Sequence, residues 1–166
     1  MDFKKILLLA VLLMTPLTNS CCLWSKAPKG KLIYCSYAAD GAAGLGKDYC
    51  ELIADPGQKP KVVVVLDKNC RFAEERRQEF EVDGSVVEDL QKKLEELKVW
   101  KLDGYNLNEP ICGGHAYRIY MEYDSGEKID ARWYGNGVKD SAIRAYNTIE
   151  YFFKPWREQM PPQKMQ

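Results

Sequence analysis

The chain has 166 residues, 24 of them basic and 24 acidic, with a single histidine, so it is formally neutral at pH 7. Near-neutrality argues against DNA or RNA as a partner, because phosphate binding needs a positive footprint. The length sets the scale of one domain with its own core.

In chain order, Lys4 and Lys5 precede nine apolar residues, Ile6 to Met14, and a polar stretch follows. That is the layout of an export signal, here residues 1–20. As a helix the apolar run would rise only about 14 Å, against a hydrocarbon core of roughly 30 Å, so a stable span is not expected. The segment Leu17-Thr18-Asn19-Ser20-Cys21 resembles a bacterial lipoprotein processing site. That resemblance implies cleavage before Cys21 and a diacylglycerol on its thiol; ordinary secretion is the rival. Removing residues 1–20 takes away Asp2, Lys4 and Lys5 and leaves 146 residues, 22 basic and 23 acidic. Residues 21–30 read as a lipidated or flexible tether. Its Lys26 and Lys29, with Lys31, keep it solvated or touch anionic headgroups.

The folded domain is expected over 31–155. Residues 31–37 read as a strand and 38–47 as a long flexible hairpin loop rich in Gly and Ala. Residues 49–54 read as a second strand, stopped by the turn Asp55-Pro56-Gly57. Lys61 to Asp67, KVVVVLD, is the clearest β run, and 78–82 a further strand. Ser85 with Glu88 fits a capping box opening a helix that runs to about Lys98. Val87, Leu90, Leu94 and Leu97 form its apolar stripe.

Residues 116–134 alternate strictly. Tyr117, Ile119, Met121, Tyr123, Ile129, Ala131 and Trp133 fall on one face, and Arg118, Tyr120, Glu122, Lys128, Asp130 and Arg132 on the other, a hairpin with one buried side. Paired residues must share a face, so their numbers sum to an even value. The pairing Tyr123 with Ile129 satisfies this. It sets Tyr120 opposite Arg132, Arg118 opposite Tyr134, and Glu122 opposite Asp130. Arg118, Tyr120, Arg132 and Tyr134 are thus the candidate interaction surface, with simple cross-strand packing as the plainer alternative. A last helix begins near Lys139 and buries Ala142, Ala145, Tyr146, Ile149 and Phe153. Pro155 ends it, and 156–166 read as a frayed tail. These elements predict an α+β fold: a mostly antiparallel sheet with two amphipathic helices packed on one face.

Six cysteines are present: Cys21, Cys22, Cys35, Cys50, Cys70 and Cys112. An exported chain can keep disulfides. One bridge is expected among Cys35, Cys50, Cys70 and Cys112, with the connectivity open; the alternative is that several are small buried hydrophobes. Gly41, Gly46 and Lys47 fit the G-x-x-x-x-G-K frame of a phosphate loop, but Asp48 stands where a hydroxyl would hold magnesium, and too few residues follow for the helix such a loop needs. No nucleotide is expected there.

An aromatic strand, Ile33-Tyr34, leads through Gly41, Gly44 and Gly46 to Tyr49-Cys50-Glu51-Leu52-Ile53. Trp100 follows the first helix. Tyr123-Asp124-Ser125-Gly126, then Gly135-Asn136-Gly137, then the run to Phe153 complete the order. In these places the chain resembles a group of small exported bacterial proteins of unknown function, over about three quarters of its mature length. The resemblance implies the α+β fold and brings no activity or catalytic residue with it. The group often has a proline soon after the Gly/Asn turn, and Val138-Lys139-Asp140 lacks it.

Cys112-Gly113-Gly114-His115 holds the only histidine. A structural zinc site wants four ligands, and a Cys–His dyad normally forms across a fold rather than within a glycine turn, so an ordinary polar turn is the expectation. Glu122 and Asp130 are candidate paired carboxylates, close to the neutralising Arg118, Lys128 and Arg132. Trp24, Trp100, Trp133 and Trp156 are spread along the chain; Trp133 is expected in the core, and Trp100 or Trp156 could stack on a sugar or peptide if exposed. No cofactor or metal is indicated. The reading is a membrane-anchored protein of the bacterial cell envelope, or else a soluble secreted or periplasmic one. It would act as a non-enzymatic binding module that uses its sheet face or the 38–47 loop to bind a protein or glycan partner. The alternatives are an envelope hydrolase or an inhibitor of a secreted enzyme.

Overall fold

The computed structural model describes residues 26–41, 46–71, 73–109 and 114–162. The export signal, Cys21, Cys22, Trp24 and Cys112 lie outside them. The described residues form an α+β domain. Its strands are β1 (Leu32–Asp40), β2 (Lys47–Ile53), β3 (Lys61–Lys68), β4 (Arg76–Glu81), β5 (Asn106–Asn108), β6 (Ala116–Tyr123) and β7 (Lys128–Tyr134). The helices are α1 (Gly84–Glu96) and α2 (Asp140–Arg157), and a short 3-10 turn spans Val99–Leu102. One seven-stranded sheet has the order β4-β3-β2-β1-β6-β7-β5. All neighbours are antiparallel except β5, which pairs parallel with β7.

The inner face of the sheet carries Cys35, Tyr37, Cys50, Leu52, Val62, Val64, Ile119, Met121, Ala131 and Trp133. Against it pack Leu90 and Leu94 from α1 and Ala142, Ala145, Tyr146, Ile149 and Phe153 from α2. The expected apolar stripes of both helices are therefore the core. Strand β3 reads as an unbroken valine run because both its faces are buried. Val63 and Val65 point to the helix-free side and are still 0% exposed. Val63 lies between Glu51 and Glu79, and Val65 between Tyr49 and Arg77, on the flanking strands. The charges of β4 at the same time guard the open sheet edge.

Several local expectations change. The strands β1 and β2 run on to Asp40 and from Lys47, so only the tip of the expected 38–47 loop is a connection, closed by Gly41 N–H donating to the Gly46 carbonyl at 2.8 Å. Lys47 and Asp48 stand in a strand, where a phosphate loop would start a helix. Gly46 has φ +87°, and a Cβ there would meet Cys70 Cβ at 2.8 Å, so the glycine answers a backbone conformation and a close approach together. The N-cap of α1 is Asp83, in extended conformation with no side-chain capping bond; Ser85 lies inside the helix, so the capping box does not form. Pro155 sits within α2, which continues to Arg157. The bond it forfeits is to the carbonyl of Tyr151, a residue 74% exposed on the wet side of the helix, and the last turn survives the loss. Met160 beyond it is buried in the core cluster.

The β6–β7 register differs by two residues from the expected one. Met121 faces Ile129, Arg118 faces Arg132, Tyr120 faces Asp130 and Glu122 faces Lys128. The cause is the turn. Tyr123 N–H donates to the Glu127 carbonyl and Gly126 N–H to the Tyr123 carbonyl, both at 2.9 Å. The connection is thus three residues, with Gly126 at φ +91° in the bulge position. The faces are as the alternation predicts.

The chain enters the sheet at the opposite end from the β1–β2 turn. Residues 30–32 are pinned there. Lys31 N–H donates to Asp124 Oδ1 at 2.8 Å, Leu32 N–H to Gln91 Oε1 at 2.9 Å, and Gln91 Nε2 to the Gly30 carbonyl at 3.2 Å.

Candidate functional site

The expected interaction residues lie on the helix-free face, where the structure draws three of them around a shallow basin. Its floor is Ala38 and Ala116, and Arg118, Arg132 and Tyr134 stand on its wall, with Lys47 across from them, over a volume of about 310 Å³. Two small residues set diagonally on β1 and β6 make the depression, Ala38 facing Arg118 and Ala116 facing Asp40. Arg118 and Arg132 are directly opposed, an unfavourable pair of like charges, and both grip one carboxylate. Arg118 donates to Asp130 at 2.8 and 2.9 Å, and Arg132 at 3.2 and 2.7 Å. Burial opposes ionisation of Asp130, but the bonds from Arg132 and Arg118 outweigh it and hold the carboxyl below its ordinary value.

Tyr120 is one row away. Its ring lies 5.0 Å under the Arg118 guanidinium and 5.9 Å, edge-on, from Tyr34. The expected neighbours Tyr120–Arg132 and Arg118–Tyr134 are not direct cross-strand pairs. The Glu122–Asp130 carboxylate pair does not form either: Glu122 bonds Tyr120 and pairs with Lys128 at 3.1 Å.

On the helical face of the same sheet end lies a deeper cleft of about 470 Å³ that the linear pattern does not reveal. The ends of β1, β6 and β7 bring Tyr37, Tyr117 and Trp133 to one side, and α2 lays Tyr146 across them. Tyr117 stacks on Trp133 at 5.9 Å and 22°, and Tyr146 meets both edge-on, at 4.9 and 5.9 Å. These rings form the floor. The wall toward β2 is ionic: Arg157, in the last turn of α2, donates to Asp48 at 3.2 Å and to Glu150 at 3.1 Å. Asp48 is held in turn by the Asp67 N–H at 2.9 Å. His115 is exposed at the mouth, its ring 6.2 Å from Tyr117.

Beneath the ionic wall, the Cys50 thiol donates to the Tyr37 hydroxyl at 3.5 Å. Burial pushes the Cys50 thiol up to about 11, despite the Tyr37 bond and the Arg157 charge that act the other way. Burial likewise raises Tyr37 and Tyr146, and Cys35 next door. The cleft's most perturbed groups are thus fixed in their neutral, protonated forms, the opposite of an activated nucleophile.

Cys35 and Cys50 are free thiols in the core, so the disulfide pairings that use either are absent. The remaining pairing, Cys70 with Cys112, involves a residue outside those described, as does the Cys112–His115 pair. Among the described residues no three His, Cys, Asp or Glu side chains converge as metal ligands. Trp133 is core as expected, and Trp100 and Trp156 pack against it.

Sequence reasoning passed over the cleft although one signal was there. Glu150 and Arg157 stand at helical spacing among Tyr146, Ile149 and Phe153, so charge interrupts a core-facing stripe. Their partner Asp48 is 109 residues from Arg157, and nothing local announces it. Fold and site together define an α+β sheet domain with an aromatic cleft at one sheet end. No protein-family model matches the chain, and no curated protein matches it.

Proposed function

We propose that this chain is a non-enzymatic binding module of the bacterial cell envelope, exported under residues 1–20, tethered by lipid at Cys21, and taking its ligand in the aromatic cleft. One observation carries the choice of binding over catalysis: both carboxylates of the cleft wall, Asp48 and Glu150, are tied to Arg157 at 3.2 and 3.1 Å, and the thiol beneath them, Cys50, is 0% exposed. A site built for hydrolysis shifts its groups toward reactivity; this one keeps them inert and presents aromatic faces and paired charge. The topology supports display. The tether enters beside the β6–β7 turn, and the cleft opens at the far end of β1, about 27 Å away at strand rise. The Arg118–Arg132 basin opens at that same far end and offers a second contact surface.

The test is thiol reactivity in the native state. With iodoacetamide at pH 8, Cys50 should be alkylated at least about a hundredfold more slowly than a free thiol, because both its protonation and its burial oppose attack. Alkylation of Cys50 at the rate of an exposed or activated thiol would sink the binding reading and favour the hydrolase.

A further inference from the structure

We infer that the cleft selects an organic cation, a protonated amine or guanidinium carried on a small apolar body. The inference rests on the binding reading above. Its ground is the mismatch between wall and floor. Two carboxylates, Asp48 and Glu150, share a single guanidinium, Arg157, so the ionic wall carries one uncompensated negative charge. His115 also lines the mouth. The nearby ammonium groups face other rings: Lys139 lies 4.8 Å from the Tyr105 centroid and Lys154 lies 5.9 Å from that of Tyr151.

The floor is the half-buried Tyr117 ring, with Trp133 and Tyr146, 5% and 7% exposed, packed behind it, and the π system of Tyr117 attracts a cation through its quadrupole. An anion entering would meet two carboxylates. A neutral ligand would gain stacking and leave the excess charge unanswered. A cation gains both contacts, in a site where water is partly excluded and the electrostatic attraction is correspondingly stronger. The volume of about 470 Å³ fits a group of side-chain or amine size.

The experiment uses the full chain, isotope-labelled, at pH 8, with amide and indole shifts followed by NMR. The probe is phenethylammonium, and phenethyl alcohol and phenylacetate are its neutral and anionic counterparts. The ammonium should shift Tyr117, Trp133 and Tyr146 saturably, several-fold more weakly at high salt than at low. The alcohol should bind at least about fivefold more weakly and the carboxylate not at all. Glu150→Gln should weaken the ammonium about fivefold, whereas Glu88→Gln, in the groove at the opposite sheet end, should leave it unchanged. Equal binding of the alcohol, or preference for the carboxylate, would overturn the cation and leave the cleft a binding site. No shift in the cleft with any probe would overturn the inference, while native thiol reactivity decides separately between binding and catalysis.

Discussion

At the scale of single residues, Cys50 couples the cleft to stability. It faces Tyr37 across β1 and β2 and is 0% exposed. In the unfolded chain a thiol titrates near 8.5; in the fold it is pushed up to about 11. Below about 8.5 both states hold the proton, and the contribution of the neutral thiol is fully present. Between the two values the unfolded chain releases its proton while the native one keeps it, so stability falls as pH rises. Cys35 and Tyr37, also raised by burial, act in the same sense. Urea unfolding of the wild type should therefore show a midpoint that declines from pH 8 to 10.5. Cys50→Ala should cost about 1 kcal/mol at pH 7 and make that decline shallower. Parallel declines in both proteins would contradict the assigned cause.

At the scale of elements, the β6–β7 hairpin shows how a turn chooses among registers that the strands leave open. Alternation sorts the residues of 116–134 onto two faces and demands an even sum, but every even sum satisfies it. The three-residue connection with Gly126 at φ +91° selects one of them. A Cβ at Gly126 meets open space, so Gly126→Ala should cost about 1 kcal/mol through backbone strain alone. Gly126→Asn should cost less, because Asn tolerates the left-handed region; thermal unfolding measures both, and equal or negligible losses would refute the turn as the source of register. The same division governs what was legible in advance. Valine runs, helical stripes and alternation announced the α+β fold, the helix faces and the core Trp133, because each is a short-range pattern. Strand β5 was not visible, since three residues are too few to show a period. The cap of α1 was misplaced because Asp83 and Ser85 are both good capping residues two positions apart. The cleft was hidden because it joins Asp48 on β2 to Glu150 and Arg157 on α2, a contact that only the finished topology brings about.

At the scale of the whole molecule, the aromatic cleft and the arginine basin gather at one sheet end, and the chain enters at the other, beside a groove of about 610 Å³ lined by α1. The aromatic cleft and the arginine basin lie on opposite faces of the same strand termini, the first with surplus negative charge and the second with Arg118, Arg132 and Lys47 against Asp130 and Asp40. Residues 30–32, pinned to Asp124 and Gln91, fix the point from which a tether leaves. A lipid at Cys21 would then hold the domain at the membrane by the end away from its binding surfaces, the arrangement expected of a displayed binder. The most direct test of that account is the mass of the processed chain. The full-length protein and a Cys21→Ser variant would be expressed in a diderm bacterium and their membrane fractions compared by intact and peptide mass. The account predicts a mature chain that begins at a diacylglycerol-modified Cys21, and its loss from the membrane in the variant. A chain recovered without lipid, equally distributed in both strains, would contradict it.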